Sequence, residues 1–213
     1  QRLQGDRTGT CMAVAVVEKD HVARTFQCAS DADASRIGPD AAFEIGSVSK
    51  TMTAALLAEL IAQGKGSLDD TLVSWLPEGT KVPDWQGQPI LLRHVVTHTS
   101  GLPALPSRLG ATSMDDPYAN LDEAALLASL ADVKLAAAPG TKFEYSNFAM
   151  MVLSQAIARR AGTDFESLAR RELFAPLGMD HAYVNQPPAG VRVASGHAPS
   201  GKVVPAWHFA TDL

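Results

Sequence analysis

Two runs rich in Val and Ala, Cys11 through Glu18 and His21 through Cys28, stand only two residues apart, at Lys19-Asp20. That spacing predicts an antiparallel hairpin. With Lys19-Asp20 as the turn, partners sum to 39, so Glu18 faces His21 and Cys11 faces Cys28. A cross-strand disulfide is then geometrically possible, and two buried reduced thiols are the alternative. A bridge favours a periplasmic or secreted protein.

Past the hairpin the hydrophobic period changes. Val48, Met52, Ala55, Leu56 and Ile61 repeat near helical spacing, which predicts a helix from Ser47 to about Gln63, with Gly64 as its stop. Short helical segments punctuated by Pro and Gly follow: Asp69 to Leu76, Leu91 to His98, Asn120 to Ala131, Phe148 to Ala161 and Asp164 to Phe174. Asn120-Leu121-Asp122-Glu123 and Thr163-Asp164-Phe165-Glu166 read as capping boxes. Beyond Pro187-Pro188, the segments Val191 to His197 and Lys202 to Ala206 flank Pro199-Ser200-Gly201 as a returning hairpin. The order predicts an α/β layer interrupted by a helical domain. The expected division is a discontinuous α/β domain over 1–64 and 186–213 and a mainly helical domain over 65–185.

A length of 213 residues fits one or two domains. A charged fraction of 19% and a net charge of −5, with no basic run longer than a pair, argue against a nucleic-acid partner. No stretch is long and apolar enough for a membrane span. The polar start Gln1-Arg2-Leu3-Gln4-Gly5-Asp6 has no apolar signal core, as in a mature chain that has lost its leader.

Ser47-Val48-Ser49-Lys50 opens the first helix directly after Gly46 and puts a hydroxyl and an amine one turn apart. Such a pair can make an acylating nucleophile without histidine. Lys50 opposes the helix dipole in the first turn, and such local violations concentrate at functional sites. A buried ammonium there would be pushed toward the range where it accepts the Ser47 proton. The alternative makes Ser47 an N-cap and lets Lys50 reach out to solvent.

Pro139-Gly140 through Tyr145-Ser146-Asn147 adds a phenol and a carboxamide two residues apart on an extended piece, so both point roughly one way. Tyr118-Ala119-Asn120 has the same spacing, but there Asn120 is better spent as a helix N-cap and Tyr118 lies in a polar loop. His94 and His98 have the spacing of a zinc pair, yet no third ligand is evident and a helix-end role is expected. No metal or cofactor site is read from the sequence. Trp207 is expected to pack, or to line a cleft.

Three segments, Phe43 through Thr51, Leu92 through Pro103 and Pro139 through Asn147, resemble the serine β-lactamase and penicillin-binding-protein superfamily. The branch they are most similar to is the class C β-lactamases with related esterases and D-Ala-D-Ala peptidases. The resemblance implies a two-domain fold, an antiparallel sheet flanked by helices plus an all-helical domain, with the active site between them. It implies Ser47 as acylated nucleophile, Lys50 as its base, Tyr145 as proton relay and Asn147 as substrate and lysine anchor, with the Ser47 N–H as half of an oxyanion hole. The substrate would be a small β-lactam, an ester or a D-Ala-D-Ala-type peptide, and a slowly acylating penicillin sensor is the non-hydrolytic alternative.

The family's third motif, K-T-G or H-x-G on a later strand, is absent, and Thr99-Ser100-Gly101 only mimics it where Gly101 is expected to close a helix. The expectation is therefore an incomplete C-terminal part, weak activity for the segment alone, and an open sheet edge inviting a complementing chain or segment.

Overall fold

The computed structural model describes residues 11–30, 37–38, 40–185, 187–198, 200 and 202–209. The polar start, the final Thr211-Asp212-Leu213 and the turn residues Pro199 and Gly201 lie outside the described residues. In chain order the strands are β1 (Cys11–Glu18), β2 (His21–Cys28), β3 (Ala41–Ala42), β4 (Asp84–Trp85), β5 (Gln88–Pro89), β6 (Arg192–Val193), β7 (Gly196–His197) and β8 (Val203–Val204). The α-helices are α1 (Ser49–Ala62), α2 (Leu92–Val96), α3 (Glu123–Ala128), α4 (Asn147–Ala161) and α5 (Phe165–Ala169).

The chain divides into two compact units: Gln1–Glu44 with Gln186–Ala206, and Ile45–Asn185 with Trp207–Leu213. The boundary falls after Glu44, so α1 belongs to the larger, helical unit, whereas the sequence reading ended the α/β domain at residue 64. The reason is packing: Leu56, Leu57 and Leu60 of α1 are buried in the same core as α4.

In the smaller unit β1 and β2 pair antiparallel in the expected register, Glu18 with His21 and Cys11 with Cys28. Cys11 and Cys28 form a disulfide, with Cα atoms 4.0 Å apart. The C-terminal segments pair less than expected. Only Gly196–His197 and Val203–Val204 form the returning hairpin, while β6 pairs parallel with β3. Every sheet among the described residues has two strands.

The larger unit is built around α4. Its sequence is apolar on nearly every face until Arg159-Arg160, and Phe148, Ala149, Val152, Leu153, Ala156 and Ile157 are fully buried. Burying each large apolar side chain contributes about 1.5–3 kcal/mol. The one polar residue in mid-helix that is buried, Ser154, donates back to the Met151 carbonyl at 2.7 Å.

Several helices differ from the sequence reading in informative ways. The buried face of α1 is Thr53, Leu56, Leu57 and Leu60, one step round from the expected stripe, because the three leucines bring more apolar area than Ala55. Val48 is left exposed in a preceding 3₁₀ turn, Gly46–Val48. Of Asp69 to Leu76 only Leu72–Trp75 is helical, as a 3₁₀ turn. There the Asp70 carboxylate accepts from the Ser67 N–H and Trp75 Nε1–H, which ties a loop instead.

Neither capping box forms as read. Asp122 caps α3 and Asp164 caps α5, each accepting from the N–H three residues on, at 2.7 Å. Asn120 instead donates to the Gly110 carbonyl. The segment after α5, Arg170–Phe174, is a π-helical turn. Arg160 lies over the Trp75 ring and donates to the Lys65 carbonyl.

Candidate active site

Ser47, Lys50, Tyr145 and Asn147 all lie in the larger unit. Gly46 has φ +53°, a conformation glycine adopts without steric cost, and it starts the 3₁₀ turn that presents Ser47 to solvent. Ser47 is not a helix cap: Val48 occupies that position of α1 and no side chain caps it. The Ser49 hydroxyl ties the turn by donating to the Gly46 carbonyl at 2.7 Å. Lys50, one turn on, does not extend to solvent but donates from Nζ to Ser47 Oγ at 2.9 Å.

Tyr145 reaches the same oxygen from 98 residues away, its hydroxyl donating to Ser47 Oγ at 2.7 Å. Lys50 Nζ lies 5.0 Å from the Tyr145 ring centroid. Burial alone would raise the phenol's pKa. Hydrogen bonds with Lys50 and Ser47 and the Lys50 charge outweigh it, so the net direction is downward.

What delivers Tyr145 is a scaffold of backbone hydrogen bonds from residues 98–104. Gly140 N–H donates to the Thr99 carbonyl at 2.8 Å and Glu144 N–H to the His98 carbonyl at 2.7 Å. Asn147 and Phe148 N–H groups share the Ala104 carbonyl. Ser146, fully buried, donates from its hydroxyl to the Pro103 carbonyl at 2.6 Å and accepts from Ala149 N–H at 2.9 Å as the N-cap of α4.

Asn147 is the first residue of α4. Its side chain lies against the phenol of Tyr118, whose pKa burial raises and the amide lowers, the net being upward. Its Oδ1 is buried with no hydrogen-bond partner among the described residues. No hydrogen bond joins it to Lys50, so the structure brings Ser47, Lys50 and Tyr145 together and leaves Asn147 beside them.

The two histidines serve different partners. His94 Nδ1 accepts from Leu91 N–H at the start of α2. His98 lies past the helix end at φ +54°, and Thr99 N–H reaches back to the His94 carbonyl while His98 N–H reaches Val95. This is a Schellman closure with histidine where glycine is usual, at a backbone cost of about 1–2 kcal/mol. Gly101, expected to close the helix, instead lies three residues further on at φ +78°, where a Cβ would lie 3.3 Å from Leu135. Nothing in the sequence pattern marks His98 as a neighbour of Tyr145. Its ring lies 4.4 Å from the Tyr145 ring, centroid to centroid, and its Nδ1 accepts from Ser146 N–H at 3.2 Å.

Tyr118 is also unlike its expected polar loop, being only 5% exposed. Phe209 stacks on it and Trp207 meets it edge-on, with Asp116 holding His208 between them.

The model of the β-lactamase family matches residues 1–211 of the chain. The D-alanyl-D-alanine-carboxypeptidase/endopeptidase AmpH of Escherichia coli (strain K12) is 32% identical over 180 residues, 84% of this chain and 46% of that protein. A β-lactamase from the same strain is 32% identical over 170 residues, 80% of this chain and 42% of that protein. The crystal structure of a β-lactamase/D-alanine carboxypeptidase from Yersinia pestis, complexed with citrate, superposes with a TM-score of 0.76 at 30% identity, over 85% of this chain and 52% of that one. The chain thus spans about half the length of the proteins it matches.

Proposed function

The chain belongs to the β-lactamase family, and from that premise we propose that Ser47 is the nucleophile of an acyl-transfer hydrolase that opens β-lactam amides. The observation carrying this reading is that Ser47 Oγ accepts from both Lys50 Nζ, at 2.9 Å, and the Tyr145 hydroxyl, at 2.7 Å. A hydroxyl so placed can give its proton to whichever neighbour is deprotonated as it attacks.

In this reading Lys50 and Tyr145, both hydrogen-bonded to Ser47 Oγ, act as a pair from which one proton has been lost. Burial of Tyr145 is outweighed by its hydrogen bonds with Lys50 and Ser47, which favour the phenolate. As the Oγ–C bond forms, the Ser47 proton passes to that pair. As the C–N bond breaks, the pair returns it through Tyr145 to the leaving nitrogen. Water then attacks the acyl carbonyl, gives a proton to the pair, and Ser47 departs with that proton.

The Ser47 N–H would provide half of an oxyanion hole. The unpartnered Oδ1 of Asn147 supports a substrate-binding role, since a turn of that side chain would bring an acceptor to a substrate N–H.

A second reading keeps the acyl-enzyme and changes the substrate. Similarity to AmpH and to the Yersinia pestis protein favours a D-Ala-D-Ala peptide, and a simple ester would use the same steps. Comparing kcat/KM of the full-length protein for nitrocefin, a short p-nitrophenyl ester and a D-Ala-D-Ala peptide separates the three. Turnover of nitrocefin above the others supports the first reading. A nitrocefin burst without turnover, beside steady peptide cleavage, overturns it in favour of the second.

A further inference from the structure

His98 grips the segment carrying Tyr145 on both sides of that residue. Its carbonyl accepts from Glu144 N–H at 2.7 Å and its Nδ1 from Ser146 N–H at 3.2 Å. Between these two bonds its ring lies 4.4 Å from the Tyr145 ring at an interplanar angle of 34°, with Phe143 edge-on at 5.9 Å. The left-handed backbone that closes α2 is satisfied by glycine, so closure alone gives no reason for an imidazole there.

A backbone N–H can only donate. Nδ1 must therefore be unprotonated, and the neutral ring carries its hydrogen on Nε2. An imidazolium would set a second N–H against that of Ser146 and lose the bond.

We infer that His98 is a positioning residue for Tyr145: its neutral, Nε2-protonated imidazole holds the phenol over Ser47, and protonation of the ring releases that hold. Of the titratable and charged groups on the elements packed here, Lys50 on α1 acts on the ring and Tyr145 lies against it, the Lys142–Glu144 ion pair stands on the same extended segment as Tyr145, and Arg93 and His94 precede it on α2. Burial first and the Lys50 charge second favour its neutral form. The kinetic consequence rests on the acyl-enzyme reading above. The tautomer and the coupling to Tyr145 do not.

The test is NMR of the full-length protein with ¹⁵N-labelled histidine and ¹³C-labelled tyrosine, followed through acid titration beside the rate of Ser47 acylation by a fluorescent penicillin. The Nε2–H tautomer is expected at neutral pH, with the Ser146 amide, the Tyr145 Cζ and the acylation rate all changing at the midpoint of His98. In His98→Asn, which tolerates the left-handed backbone and offers a non-titrating acceptor, that acid limb should disappear. His98→Gly should stay folded yet acylate roughly 10- to 100-fold more slowly. An Nδ1–H tautomer, Tyr145 and Ser146 signals indifferent to His98, or a wild-type rate in His98→Gly would overturn the proposal. If no acylation occurs at all, the acyl-enzyme reading fails while the NMR results still decide the role of His98.

Discussion

The Tyr145 hydroxyl and the Ser47 hydroxyl, 98 positions apart in sequence, share a 2.7 Å hydrogen bond. Lys50 approaches the same oxygen from within one helical turn, so Ser47 Oγ has one local and one distant partner. Removing the distant one tests whether proton transfer needs both. Tyr145→Phe keeps the ring against His98 and loses only the hydroxyl. Its acylation rate should fall on the order of 10²–10⁴-fold, the usual contribution of a positioned acid or base. Stopped-flow acylation measures this, and the thermal midpoint should barely move because Tyr145 is 44% exposed.

The turn before Tyr145 depends on Gly140, which has φ +90° and a Cβ position 3.1 Å from His94 Nε2. Gly140→Ala should destabilise by about 1–3 kcal/mol, from backbone strain together with displacement of His94. Gly79→Ala is the control, since φ is +84° there but nothing lies within 4 Å of the Cβ position. Urea unfolding should find Gly140→Ala the more damaging of the two.

Ser146 uses its hydroxyl twice, toward the Pro103 carbonyl and the Ala149 N–H, in a fully buried position. Ser146→Ala removes an N-cap and leaves both partners unsatisfied, a loss of about 1–3 kcal/mol. Ser154→Ala should cost less, because that hydroxyl only bonds a carbonyl of its own helix. Equal losses in denaturant titrations would contradict the scaffold role given to Ser146.

Acid should unfold the protein in two stages. Burial, then the charges of Arg93 and Lys50 respectively, hold His94 and His98 below their ordinary value of 6.5. The unfolded chain therefore binds more protons, so their stabilising contribution is complete above pH 6.5 and is lost as pH falls through the folded-state values. A second loss follows at lower pH. Asp70 is depressed chiefly by its hydrogen bond from Trp75 and Asp164 by that from Ser167, so both lose their contribution below the ordinary 3.8. The urea midpoint measured against pH should show the first step begin near 6.5, and His94→Gln should reduce it.

The parts of this fold legible in the sequence were those governed by near neighbours. The register of β1 and β2 follows from a two-residue turn, and α4 from an apolar run ending at Arg159-Arg160 and Gly162. Proximity of Lys50 to Ser47 was likewise readable, since one helical turn separates them. Helix starts differ from expectation where several polar residues compete: Asp122 and Asp164 take the caps expected of Asn120 and Thr163. The role of His98 was hidden because it depends on a positive φ and on a segment 48 residues away, neither of which leaves a periodic trace. The burial of Tyr118 is illegible for a similar reason, its partners Trp207 and Phe209 lying far along the chain.

The proposed function requires that Ser47 be acylated with Lys50 and Tyr145 at its oxygen. Intact-mass spectrometry of the full-length protein after brief exposure to a penicillin, for wild type and Ser47→Ala in parallel, tests it most directly. One added acyl mass is expected on wild type, mapped by digestion to the peptide holding Ser47, and none on the variant. An adduct that persists in Ser47→Ala, or maps elsewhere on the wild type, would contradict it.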